Sequence, residues 1–125
     1  MAVSPEYIAW LEERFAPLGP LNRKRLFGGV CFYVEDAMFA VVLMDTLYFK
    51  SDGETAAAFD AEGCEPFQYE KQGGMTVVNA FRRCPDSALD DDEALLDWAR
   101  VGLAAGRRAA AEKARKAARK KARTP

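Results

Sequence analysis

Apolar side chains recur at every fourth position near the start of the chain, at Tyr7, Leu11 and Phe15 with Ile8 beside them, and this spacing predicts a helix with one buried face. Ser4-Pro5 supplies its start. A capping side chain is followed by a proline whose missing N–H costs nothing at the first helical position, and Glu6 suits the positive end of the helix dipole. Glu12, Glu13 and Arg14 are expected to face water, and Pro17 and Gly19 to end the helix after about three turns.

From Arg23 the period changes to aromatic and β-branched runs broken by short polar turns. This predicts four strands, roughly 23–27, 30–34, 38–43 and 47–50, with turns at Gly28-Gly29, Glu35-Asp36 and Met44-Asp45. In the second strand Cys31 and Tyr33 point one way and Val30, Phe32 and Val34 the other, so both faces are apolar and each asks for cover or a partner. After an Asp52-Gly53 turn, residues 54–61 read as a short helix anchored by Phe59 and closed by Gly63. Residues 67–71 and 75–82, joined at Gly73-Gly74, read as a hairpin. Beyond Cys84-Pro85, Ser87 and the acidic run Asp90–Glu93 open a third helix that packs through Leu95, Leu96, Trp98, Ala99, Val101 and Leu103. Past Gly106 the large apolar residues stop while alanine, lysine and arginine continue, which predicts a solvated helical extension fraying toward Thr124-Pro125.

The order α-β-β-β-β-α-β-β-α describes a two-layer α+β fold. An antiparallel sheet of about five to six strands carries helices mainly on one face and leaves the other for a partner. A chain of 125 residues, 50% hydrophobic, suffices for one core, so the expected organisation is a domain over 1–106 and a basic tail over 107–125.

Charge divides a little before this boundary, at residue 100. Residues 1–99 hold 8 Lys/Arg against 18 Asp/Glu, and residues 100–125 hold 10 against 1, so a body of −10 is joined to a tail of +9. Segregation on this scale lets the two ends select different partners, or each other. The longest apolar run, 38–44, is far short of the roughly 20 residues that span a bilayer, and no basic flank with an apolar stretch opens the chain, so neither a membrane span nor a signal peptide is expected. Cys31, Cys64 and Cys84 are odd in number and widely spaced, which excludes a Cys-x-x-Cys pair and suits a reducing cytoplasm.

Lys24-Arg25-Leu26-Phe27-Gly28-Gly29, with Phe32-Tyr33 close behind, resembles the Arg-Arg-Met-Phe-Gly-Gly opening of the TfoX/Sxy competence-regulator family's N-terminal domain. Met38-Phe39-Ala40 and Asp45-Thr46-Leu47-Tyr48-Phe49-Lys50 are similar to that family's central hairpin, and Pro66-Phe67-x-Tyr69 and Leu96-x-Trp98-Ala99 follow in the same order, so the likeness covers about residues 5–105. It departs from the family at Glu35-Asp36-Ala37, where a turn glycine is common, and at Asn79-Ala80-Phe81, which replaces a more aromatic stretch. The resemblance implies the α+β fold, a non-enzymatic role in transcription or competence, and no cofactor. The best-known members carry a second, C-terminal domain, where this sequence continues into the basic tail.

With no histidine, a Ser-His-Asp or Cys-His site is impossible, and neutral acid/base chemistry would need a perturbed carboxylate, lysine or cysteine. The run Asp90-Asp91-Asp92-Glu93 lacks the alternating ligands and glycine of a calcium loop and reads as helix-start electrostatics, so no metal is expected. Gly28-Gly29 lacks a phosphate-loop pattern and reads as a turn or bulge where a side chain would collide with a neighbour. Cys31 reads as core; Cys64, after Gly63, reads as a loop thiol that could be exposed, its pKa raised by Glu62 and Glu65.

The tail carries the candidate nucleic-acid contacts: Arg107, Arg108, Lys113, Arg115, Lys116, Arg119, Lys120, Lys121 and Arg123. On a helix, Lys113, Arg115, Lys116, Arg119, Lys120 and Arg123 fall within about 160° at 100° per residue, a stripe suited to a phosphate backbone. Only alanine stands opposite, so a membrane surface is not the expected partner, and without interleaved aromatics the tail itself cannot stack bases. The bland counterpart is a solvated terminus, or one folded over its own acidic body. The leading expectation is a regulatory or adaptor domain whose sheet contacts protein, a homodimer included, and whose tail touches nucleic acid non-specifically. The alternative is a chaperone-like protein-interaction module without nucleic-acid affinity. A third class, a ligand-binding protein or small enzyme, would show a deep pocket joining Tyr33, Tyr48 or Tyr69 to Lys50 or Arg25.

Overall fold

The computed structural model describes residues 4–26 and 28–123. Phe27, the side chain of Arg123, and the expected fraying at Thr124-Pro125 lie outside the described residues. The chain forms α1 (Pro5–Phe15), a 3₁₀ turn (Ala16–Leu18), β1 (Leu21–Leu26), β2 (Gly29–Val34), β3 (Ala37–Leu43), β4 (Thr46–Lys50), α2 (Ala56–Ala61), β5 (Pro66–Lys71), β6 (Gly74–Arg83), α3 (Asp86–Leu89) and α4 (Asp92–Arg123). The six strands make one antiparallel sheet in the order β1-β2-β3-β4-β6-β5, and the expected α+β architecture is the one observed. The region foreseen as a single third helix is two. Asp86–Leu89 makes one short turn, and Asp91 then caps α4 by accepting the N–H groups of Glu93 and Ala94 at 3.0 and 3.1 Å.

Helix α1 begins as its sequence dictates, with the Tyr7 N–H donating to Ser4 Oγ at 3.3 Å. Its buried face of Ile8, Leu11 and Phe15 meets the sheet, and Phe15 stands edge-on to Phe32 and Phe39 with ring centroids 5.6 and 5.1 Å away. Arg14 does not simply face water. Its guanidinium lies 4.1 Å from the Trp10 ring centroid and its Nε is 3.1 Å from Asp92, because the long stem can lie along an apolar surface and still reach a carboxylate.

Helix α4 lies against β3 and β4 on the same face as α1. Leu95, Ala99 and Leu103 are buried there, and Trp98 packs on Phe59 of α2 at 5.0 Å. Gly102 and Gly106 bring the two backbones together: a Cβ on Gly102 would stand 2.6 Å from the Phe39 carbonyl oxygen, and one on Gly106 would overlap the Met38 carbonyl. Glycine within a helix normally costs about 1 kcal/mol, so its place here answers to packing, and the helix passes Gly106 without a break. Gly29 does the same between strands, since its Cβ would overlap the Val42 carbonyl, and Gly28 makes the turn before it at φ +75°.

All four helices lie on one side. The other side of the sheet holds a smaller cluster in which Cys31, Val41 and Leu43 are buried beneath Tyr33, Met38, Tyr48, Phe67 and Phe81. That face covers itself with its own aromatic side chains.

Candidate nucleic-acid interface

Of the 18 acidic residues among positions 1–99, only Glu70 lies in a strand, whereas seven of the eight basic ones do: Arg23, Lys24, Arg25, Lys50, Lys71, Arg82 and Arg83. Strand alternation sorts these between the two faces. Arg25 pairs in register with Val30 and joins a groove beside Ile8 and Glu12 under α1. Arg82, opposite Phe49, is buried on the helical side, where it donates to Asp60 at 2.6 Å and to the Cys64 carbonyl at 3.1 Å. Arg23, opposite Phe32, also lies on the helical side, 3.1 Å from Glu12 of α1, and the uncovered face receives the other four. Lys24 stands opposite Cys31 with its Nζ 5.1 Å from the Tyr33 ring centroid, Lys50 opposite Phe81 at 5.4 Å, and Arg83 opposite Tyr48. Tyr48 meets Phe67 edge-on at 5.3 Å, Phe67 stacks with Tyr69 at 6.0 Å, and Lys71 follows Tyr69 on the same face by alternation.

The second basic element is α4. Past residue 106 it adds about 25 Å of helix, and residues 113–122 are exposed throughout. Arg108 differs from its neighbours. Its Nε donates to Asp52 at 2.6 Å and lies 2.8 Å from Glu54, and a second guanidinium nitrogen donates to Asp52 at 3.1 Å. Hydrogen bonding from Arg108 holds the Asp52 carboxyl below its ordinary range, helped by the N–H groups of Glu54 and Thr55. The first turn of the basic segment is thus tied to the acidic body, while Arg115 and Arg119 share Glu112 on their own helix at 2.6 and 3.8 Å. Arg107 borders a shallow groove with Pro17, Leu18 and Leu103. Lys116, Lys120 and Lys121 lie along the exposed stretch.

Lys113 connects the two elements. With Ala110, Ala114 and Ala117 it forms one wall of a groove of about 700 Å³, whose other wall is Asn22, Arg23, Lys24 and Tyr33 with Glu35 and Asp36 at the hairpin turn. Tyr33 therefore meets basic side chains in a groove, but its partners are Lys24 and Lys113 rather than Lys50 or Arg25.

Other candidates fall elsewhere. Cys64 is buried, contrary to its expected exposure, because the residue after Gly63 turns in under the start of β5; burial first, and Glu62 after it, raises its pKa. Cys84 is pushed up to about 12, mainly by burial, and burial also raises Cys31. No group of three or more His, Cys, Asp or Glu side chains able to hold a metal exists among the described residues. Among them also, no helix is long and apolar enough to cross a membrane. Sequence reasoning passed over the concentration of cations in the strands, although the signal was there: every basic residue of positions 1–99 except Arg14 falls in a strand.

A curated relative, the DNA transformation protein TfoX1 of Aliivibrio fischeri, is 43% identical over 75 residues, which is 57% of this chain and 36% of that protein. The match thus spans about a third of the relative's length. The motif residues quoted above fall at defined places: Lys24 and Arg25 on β1, Gly28 and Gly29 at the β1–β2 turn, Tyr48 and Lys50 on β4, Tyr69 on β5, and Trp98 in the α4–α2 contact. Residues 13–106 match the TfoX N-terminal domain, and the chain belongs to that family.

Proposed function

We propose that this chain is a regulatory or adaptor domain, acting in transcription or DNA transformation in the cytoplasm, whose α4 extension makes non-specific contact with nucleic acid. Membership of the TfoX N-terminal family and a relative named for DNA transformation support the regulatory reading. The observation that carries the contact is a continuous helix whose cations at positions 113–121 stand exposed beyond a body of net negative charge. Such a stripe gains affinity by releasing counterions from phosphates, and so it should be salt-sensitive and indifferent to sequence.

The test is duplex DNA binding across a salt series by the full chain and by a variant carrying Lys113→Gln, Lys116→Gln and Lys120→Gln, which leaves the Arg108 clamp intact. The full chain should bind with a steep log–log slope, and the variant should lose about one unit of slope per lysine. Equal binding by both proteins, or none by either at low salt, would refute the contact.

A second reading, a chaperone-like protein-interaction module without nucleic-acid affinity, draws on the tip of the β5–β6 hairpin, where Met75 and Val77 are 59% and 48% exposed. Concentration-dependent dimerisation by a chain that ignores DNA would favour it.

A further inference from the structure

The uncovered face of the sheet combines three properties that seldom coincide. It is apolar at its centre, where Cys31, Val41 and Leu43 are buried. It is aromatic around that centre, with Tyr33, Tyr48, Phe67, Tyr69 and Phe81. And its charged strand positions, Lys24, Lys50, Lys71 and Arg83, are all basic, on a body whose net charge is −10. The carboxylates that approach it sit outside the strands: Asp86, at the start of α3, is 3.7 Å from Arg83, Glu65 lies near Tyr48, and Asp52 acts on Lys50.

A second copy of the chain would set these cations against each other if it docked by the same face, and a hydrophobic peptide would leave them unpaired. The complementary partner is an anionic polymer that also carries planar groups. We propose that this face is a platform for single-stranded nucleic acid, with bases stacking on Tyr33, Tyr69 and Phe81 and phosphates held by Lys24, Lys50 and Arg83. Two of these ammonium groups already lie over the Tyr33 and Phe81 rings. An incoming base takes the ring and the ammonium moves to the adjoining phosphate, which exchanges a cation–π contact for base stacking plus an ion pair. Burial lowers the pKa of Lys50, and a phosphate beside it favours its charged form. A duplex cannot make this contact, because its bases are stacked on one another and its edges alone face outward. From Tyr33 the strand would continue into the groove between Lys24 and Lys113 and so reach α4.

The test uses the full chain and a labelled oligothymidylate of about 15 nucleotides. Four proteins are compared: the wild type, Tyr69→Ala, Lys24→Gln, and the triple tail variant described above. Tyr69 is 37% exposed, so its removal should leave the fold intact, which far-UV circular dichroism checks; Lys24→Gln is independent of any packing effect at Tyr69. The wild type should bind with a salt slope of about −2 to −3, as expected for three to four phosphates on a single strand. Tyr69→Ala should weaken binding by about 5- to 150-fold, the range for one stacked base, and Lys24→Gln should reduce the slope, while both keep duplex binding through the tail. The tail variant should retain most of its oligothymidylate affinity. Three results would overturn the proposal: no oligothymidylate binding at low salt, binding that survives Tyr69→Ala and vanishes in the tail variant, or a dimer that Tyr69→Ala dissociates without change in oligothymidylate binding. The second assigns the contact to the tail alone and the third assigns the face to self-association.

Discussion

Replacing Gly106 by alanine sets two effects of opposite sign against each other. In an exposed helix the change gains about 1 kcal/mol, since alanine loses less backbone freedom on folding. At Gly106 the new methyl would overlap the carbonyl of Met38, a backbone atom that cannot rotate away. Helix α4 would have to lift by about 1 Å, enough to forfeit a quarter to a half of each dispersion contact along the seam it makes through Leu95, Ala99 and Leu103. Overpacking costs about 1–3 kcal/mol, and because the atom met is backbone the upper part of that range, about 2–3 kcal/mol, applies; against the propensity gain the expected net is a loss of about 1–2 kcal/mol. For a chain of 125 residues that is a fall in Tm of about 3–8 °C, measured by circular dichroism, with urea unfolding as a second route to the same difference. Ala104→Gly, on an exposed position two residues away and on the opposite side of the helix, is the control and should cost about 1 kcal/mol from propensity alone. A Gly106→Ala protein as stable as the wild type or more so would refute the close approach of α4 to β3.

Two further expectations concern titration and reactivity. Asp52 has its folded-state pKa depressed by Arg108, so its contribution to stability is complete above the unfolded value of about 3.9 and is lost as pH falls through the folded value. The stability gap between wild type and Asp52→Asn should therefore be constant from about pH 5 to 7 and close below about pH 4; a gap that persists at the lowest pH would separate it from this ionisation. The thiols of Cys31, Cys64 and Cys84 are buried and their pKa values raised, so the native chain should show no rapid reaction with a disulfide reagent at about pH 8, and three equivalents on unfolding. Fast labelling of any one of them in native conditions would contradict the burial.

The strands and α1 were legible because their signals are local: a period of two or four, a capping serine, and turn residues between runs. The turns at Glu35-Asp36 and Met44-Asp45 were legible as polar breaks between the runs, but their backbone conformation was not. Glu35, Met44 and Asp45 take positive φ values of 54°, 51° and 61°; aspartate favours that region, but neither glutamate nor methionine advertises it. The contacts of Gly102 and Gly106 were invisible for a different reason. A glycine in a helical pattern reads as a weak point or an end until its neighbour across the layer is known, and that neighbour, β3, is more than fifty residues away. The same holds for Cys64 and for the Arg108–Asp52 clamp, both decided by partners distant in sequence. The cationic stripe of the tail needed only helical spacing, whereas the basic face of the sheet required knowing which strand positions share a side.

Gly106, Lys113 and Lys120 stand seven residues apart, so they fall nearly on one line along α4. The line that seats the helix on β3 therefore becomes a line of lysines once the sheet ends. Because α4 is unbroken, the azimuth of those lysines is keyed to the Gly106 contact like the bit of a key to its shaft. One alanine inserted between Arg108 and Lys113 would turn every later cation by about 100° without altering net charge or the number of cations, and seven would bring them back to within about 20°. Spacing along this helix thus carries directional information that neither the charge count nor the residue types hold.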